Sequence, residues 1–191
     1  MTTENEPVLE FASGEEWREW LATNHDDSSG VWLRIAKKNA ARTSISYAQA
    51  LDEALCFGWI DAVKRSYDDS SWLQRFTPRK PRSKWSRINR DNAERLVEEG
   101  RMREPGHREV DGAKQDGRWQ AAYEPQRTAT VPEDLRRGLD ANPTAKEFFD
   151  GLDSQNRHAI LHRVADAKRA ETRAHRISRF VAMLAEHRKL R

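Results

Sequence analysis

Residues 59–90, WIDAVKRSYDDSSWLQRFTPRKPRSKWSRINR, decide the fold. Two β-prone runs, WIDAVKRSY (59–67) and SWLQRFTP (71–78), flank the turn residues Asp68, Asp69 and Ser70, which predicts an antiparallel hairpin. Pro78 and Pro81 stop the second strand, because a proline ring removes a donor from the ladder. Ser83 or Ser86 then offers a side-chain acceptor to the first turn of a helix running through Ile88, Ala93, Leu96 and Val97 to Gly100. A strand pair followed at once by a helix points to an α+β unit.

The flanking sequence extends this unit. GVWLRIAKK (30–38) sets Val31, Leu33 and Ile35 on one side and Arg34 on the other, the pattern of a strand that pairs with the hairpin. Ser13 with Glu16 forms a capping box before a helix over 14–24, with Trp17, Trp20 and Leu21 on one face. Ser46 with Gln49 repeats the signal before YAQALDEALCF (47–57), whose Ala50, Leu51, Ala54, Leu55 and Phe57 form an apolar stripe ended by Gly58. A further helix is expected over 105–115, stopped by Gly117 in a left-handed turn. The expected architecture is a small antiparallel sheet of about three strands packed with helices.

From Thr130 the signals are purely helical. Thr130 with Glu133 reads as a capping box, Asn142 with Pro143 as a cap and first-turn pair, and Asp153 as the opening of another segment. Ile160, Leu161, Val164 and Ala167 form one stripe and Ile177, Phe180, Val181 and Leu184 a second, so three or four helices make a small bundle. The organisation expected is an α+β domain over 1–125 and a helical module over 126–191, with YEPQRTATVP (123–132) as the linker.

Seven Trp and six Phe in 191 residues supply large burial, which excludes a disordered chain although 34% of residues are charged. The lone Cys56 permits no intramolecular disulfide, and no CxxC or Cys/His ligand spacing occurs, which suits a reducing compartment. MTTENEPVLEF (1–11) lacks a basic region followed by an apolar one, and no apolar run reaches membrane-spanning length. A cytoplasmic protein without membrane insertion is expected.

The net charge of +3 hides a strong segregation: −7 over residues 1–30, +7 over 74–90 and +7 over 157–191. Arg outnumbers Lys 25 to 9, which suits bidentate anion recognition, although a GC-rich genome gives the same bias. Within 74–90, Arg79, Lys80, Arg82 and Lys84 flank the helix start and the hydroxyls of Ser83 and Ser86, a candidate anion site. Trp85 and Asn89, four apart, either line one wall of a groove or pack into the core. Asp61 either pairs with Arg75 or Arg65 or serves as an acid or base near Lys80 or Lys114. Lys114, Asp116, Arg118 and Trp119 in AKQDGRW form a second polar and aromatic cluster that can close over the 79–89 segment.

His158 and His162 stand at i, i+4 without a Glu between them, so no HExxH zinc motif is present and no metal is expected. Cys56 lies on an apolar helical face and reads as a buried thiol. Arg169, Arg173, Arg176 and Arg179 either touch nucleic acid or an acidic partner or form the solvated side of an amphipathic helix.

ALCFGWID (54–61), QRFTPRKPRSKWSRIN (74–89), LVEEGRM (96–102), AKQDGRW (113–119) and AKRAETRAHRI (167–177) together resemble the YdeI/OmpD-associated, or bacteriocin-protection, family over about residues 10–187. The resemblance implies a terminal helical module and a role associated with bacteriocin protection, and it brings no catalytic residues and no cofactor. Three functional readings follow. The first is a cytoplasmic binding or stress-protection module that recognises a small anionic ligand or acidic partner, with Asp61, Arg75, Arg79, Lys80, Arg82, Ser83, Trp85, Ser86, Asn89, Lys114 and Trp119 as candidate contacts. The second is nucleic-acid binding through the two basic centres, which lacks a helix-turn-helix, RRM or zinc pattern. The third is an enzyme on a small anionic substrate with Asp61, Lys80 and Lys114 as acid, base or charge stabilisers, which lacks a nucleophile and base pair.

Overall fold

The computed structural model describes residues 6–124 and 129–190. Residues 1–5 of the amino-terminal stretch and 125–128 of the expected linker lie outside the described residues. The chain divides into two compact units, Met1–Ala122 and Tyr123–Arg191.

The first unit is built in the order β1 (Val8–Leu9), α1 (Gly14–Asn24), β2 (Val31–Ala36), α2 (Tyr47–Cys56), β3 (Trp59–Ser66), β4 (Ser71–Pro78), α3 (Arg87–Glu98) and α4 (Glu104–Gln115). The sheet order is β1-β2-β4-β3, with β4 antiparallel to both β2 and β3. The sheet is therefore mixed rather than antiparallel, because β1 adds a fourth strand parallel to β2 through Val8 opposite Trp32 and Leu9 opposite Leu33. Two residues carry no readable alternation, which is why this strand leaves no signature in the sequence.

The caps fall where short-range chemistry puts them. Ser13 accepts from the Glu16 N–H at 3.3 Å, while the Glu16 carboxylate reaches back to the Ala12 N–H at 2.8 Å. Ser46 and Gln49 close a full reciprocal box. Each such cap stabilises its helix by about 1 kcal/mol. Val31, Leu33 and Ile35 turn toward the helices and join Trp17, Leu21, Ala50, Leu55, Trp59 and Phe76 in one buried core. On the opposite face the Arg65 guanidinium lies over the Trp32 ring at 4.5 Å, and Arg34 meets Asp68 at 2.6 Å.

The packing of α4 on α2 explains a glycine. A Cβ on Gly106 would fall 2.4 Å from the Cys56 carbonyl oxygen and 2.8 Å from that of Leu55, so only glycine admits this approach. Cys56 is buried beneath it, and burial pushes its thiol pKa up to about 12, which leaves the sulfur protonated.

The second unit contains α5 (Glu133–Asp140), α6 (Pro143–Asp150), α7 (Ser154–Ala165) and α8 (Ala170–Ala185). Asn142 and Asp153 cap α6 and α7 through the Ala145 and Asn156 N–H groups. The capping box expected from Thr130 does not form, because Pro132 occupies the N-cap of α5 and Glu133 is its first residue. Leu135, Leu139, Phe149, Ile160, Val164, Phe180 and Leu184 fill the core. Much of the basic character of α8 is spent inside the module. Arg173 holds Asp134 and donates to the Val164 carbonyl at 2.8 Å, and Arg176 donates to the Arg163 carbonyl at 2.6 Å.

Candidate functional site

The site is assembled where β4 hands over to α3. The Arg79 N–H donates to the Gly58 carbonyl at 3.0 Å, which carries the hairpin ladder one residue beyond Pro78. Gly58 itself, at φ +71, ends α2 in the left-handed region, and a Cβ there would meet the Pro105 carbonyl oxygen at 2.9 Å. The chain then turns through Lys80-Pro81-Arg82-Ser83, closed by the Ser83 N–H to the Lys80 carbonyl at 2.9 Å. Pro81 at the second position and a positive φ of 67° at Arg82 make this a type II turn. Glycine or asparagine is the ordinary occupant of that third position, so Arg82 holds a strained backbone there. Ser86 caps α3 by accepting from the Asn89 N–H at 3.1 Å, which settles the choice between Ser83 and Ser86.

Arg79 is 6% exposed, and its guanidinium lies 3.5 Å from the centre of the Trp85 ring, with Nη1 donating to the Lys84 carbonyl at 3.4 Å. Trp85 is 2% exposed and meets Trp119 edge-on at 4.8 Å. Its Nε1 is buried and, among the described residues, has no hydrogen-bond partner. Lys80, Arg82 and Lys84 are exposed around this buried stack.

The AKQDGRW segment does come to the loop. Gly117 takes the left-handed turn at φ +80, and the Trp119 N–H returns to the Ala113 carbonyl at 3.0 Å. Arg118, fixed by Asp116 at 2.7 Å, donates from Nη1 to the Ser83 carbonyl at 2.9 Å. Trp119 donates from its indole to Glu94 at 3.2 Å, and the Lys114 ammonium stands 5.4 Å from its ring centre.

The structure thus gathers Arg79, Ser83, Trp85, Ser86, Asn89, Lys114 and Trp119 around one loop that also carries Lys80 and Arg82. The rings of Trp85 and Trp119 and the amide of Asn89 sit in the core layer beneath it, at 2%, 6% and 9% exposure. Asp61 and Arg75 are engaged elsewhere. Asp61 accepts from the Tyr47 hydroxyl at 2.9 Å, and Arg75 is clasped by Glu6, with Nε at 2.6 Å. The ion pair of Asp61 with Arg75 or Arg65, one of the two readings the sequence allows, does not form. Asp61 stands opposite Phe76 in the ladder, so the neighbouring Arg75 leaves from the other face of the sheet.

Two groups outside the candidate contacts belong beside the loop: Arg118, which the sequence placed in the second cluster, and Glu109, which it did not single out. Arg118 is the cross-link to the Ser83 carbonyl. Glu109, half-buried on α4, has its Cγ 3.2 Å from where a Gly58 Cβ would stand. Burial raises its pKa above the ordinary glutamate value, against the opposing charges of Arg79, Arg118 and Arg108. Its only sequence signal is position, one residue before Val110 and three after Gly106 on the border of the buried stripe.

The His158 and His162 rings stand 6.0 Å apart, with His162 edge-on to Tyr123 at 5.1 Å. Among the described residues no group of three or more His, Cys, Asp or Glu side chains is arranged to hold a metal ion. No helix among them is long and apolar enough to cross a membrane.

Comparison with known families divides the chain. Residues 9–109 match the model described as a domain of unknown function (DUF8412). Residues 128–187 match the model described as bacteriocin-protection, YdeI or OmpD-associated. The loop and most of its supports fall within the first match, while AKQDGRW lies between the two. No curated protein and no solved structure matches the chain.

Proposed function

The chain belongs to the family described as a domain of unknown function (DUF8412) and carries a terminal YdeI/OmpD-associated module, and for it we propose a cytoplasmic binding role in which the 79–86 loop recognises a small oxyanion. The observation that carries this reading is the buried Trp85 Nε1, unpartnered among the described residues, beneath a turn bearing exposed Lys80, Arg82 and Lys84. Buried polar hydrogens in folded proteins are nearly always satisfied, so an orphan donor under a basic loop supports an acceptor that arrives from outside. The start of α3 adds its dipole to the same region. The strained Arg82 supports the reading, because a backbone position that glycine would fill without cost is occupied by a guanidinium.

Two variants test it. Arg82→Gly relieves the turn and is expected to raise stability by about 1 kcal/mol while weakening sulfate binding. Lys80→Glu with Arg82→Glu reverses two exposed charges without touching the core and is expected to abolish sulfate binding while leaving the unfolding transition in place. Sulfate titration followed by calorimetry, beside urea unfolding, reads both. Equal sulfate affinity in the folded double variant and the parent contradicts the assignment.

A further inference from the structure

Glu109 is a carboxylate surrounded by guanidinium charge yet joined to none of it. It sits half-buried on α4, against Gly58 at the end of α2. Among the described residues its carboxylate takes no hydrogen bond and no ion pair within 4.0 Å. Arg79 after β4, Arg118 after α4 and Arg108 on α4 itself are the charged groups that act on it. Elsewhere in this unit a carboxylate with buried surface is clasped, as Glu53 is by Arg18 and Arg101 and Glu6 is by Arg75. The exception packs against Gly58, whose carbonyl accepts the Arg79 N–H at 3.0 Å, and Arg79 is stacked on the indole whose N–H has no acceptor among the described residues.

We propose that Glu109 is a ligand-contacting acid of the oxyanion site, which binds in its protonated form and donates a hydrogen bond to an oxygen of the bound anion. The chemistry is balanced by one proton taken from solvent: carboxylate and free anion repel, whereas the carboxylic acid supplies a donor and removes a negative charge. Burial already moves the Glu109 carboxyl toward its neutral form, so the proton costs less here than on an exposed glutamate. The ligand class is an oxyanion with at least one unprotonated acceptor oxygen, such as a sulfate or a phosphate ester. This rests on the 79–86 loop being an anion site.

The probe is sulfate, which stays fully ionised over the pH range used and so contributes no titration of its own. Its affinity is measured by calorimetry from about pH 5 to about pH 8 in the whole protein and in Glu109→Gln. In the parent the association constant is expected to rise up to about tenfold for each pH unit of acidification, the slope for one proton taken up on binding. Glu109→Gln, which carries a permanent neutral donor, is expected to keep the affinity of the parent's acid limb across the range. A parent that binds sulfate with no pH dependence overturns the role of Glu109 and leaves the loop assignment standing. The same slope in both proteins places the proton on another group and also overturns it. Absence of sulfate binding at every pH overturns the loop assignment and the role of Glu109 together.

Discussion

Trp17→Ala is expected to lower the unfolding free energy by about 3 to 5 kcal/mol, the loss typical of emptying a large aromatic site in a core. Trp17 is fully buried on α1 and gathers four rings: Phe11 at 5.4 Å, Trp20 at 5.2 Å, Phe76 at 5.9 Å and Trp59 at 6.3 Å. It thereby joins α1 to β3 and β4, the strands that lead into the loop. Its indole also donates to the Ala50 carbonyl at 3.1 Å, so truncation removes a buried hydrogen bond as well as opening a cavity. Urea unfolding followed by tryptophan fluorescence measures the effect, and all seven tryptophans lie in the first unit, so the signal reports on that unit alone. A loss below about 1.5 kcal/mol means that the site collapses around the missing ring and that Trp17 is not the keystone of this core.

Glu53 carries the second large effect. It is 3% exposed on α2, and it is held by Arg18 through two bonds at 2.8 and 2.9 Å and by Arg101 at 2.7 Å. Removing one member of such a buried pair costs about 3 to 5 kcal/mol, and Glu53→Ala is expected near about 3 because both arginines keep contact with water. The pH dependence follows from the same geometry. Burial pushes the Glu53 carboxyl up, the hydrogen bonds and charges of Arg18 and Arg101 outweigh it, and the folded pKa lies below the ordinary value of 4.5. A carboxyl with a depressed folded pKa contributes stability above its unfolded pKa and loses it as the pH falls through the folded one. Stability measured from about pH 6 down to about pH 3 is therefore expected to fall less steeply in Glu53→Gln than in the parent. Parallel acid limbs in the two proteins mean that other carboxyls carry the dependence.

The elements legible in the sequence are those whose signals are local. Ser13, Ser46, Ser86, Asn142 and Asp153 each accept from a backbone N–H three residues on, and a cap needs nothing beyond its own turn. The hairpin was readable because its turn residues and strand runs are contiguous. β1 was not, since a two-residue strand is defined by its partner and carries no pattern of its own. The start of α5 departs from its sequence signal because Thr130 and Glu133 have the spacing of a capping box, while Pro132 between them takes the capping position.

Within the candidate site, the 79–86 loop is legible as charge and proline punctuation, and AKQDGRW as a polar and aromatic segment that can close over it. The depth of Trp85 was open, because Trp85 precedes α3 and so belongs to no helical period that would assign it a face. Arg82 at positive φ is invisible to composition, since arginine is not the residue that turn type favours. Glu109 gave no signal as a site residue because its neighbours there, Gly58, Arg79 and Arg118, come from three other points along the chain.

The most direct test of an oxyanion site on the 79–86 loop is a crystal structure of the whole protein soaked in sulfate, with an unsoaked crystal beside it. The result expected is a sulfate bound at the Lys80 to Ser86 turn, within hydrogen-bond distance of the Trp85 Nε1, in a place free of lattice contacts. Ordered sulfates elsewhere on the surface, with the Trp85 indole satisfied by water alone and none at the turn, would contradict it.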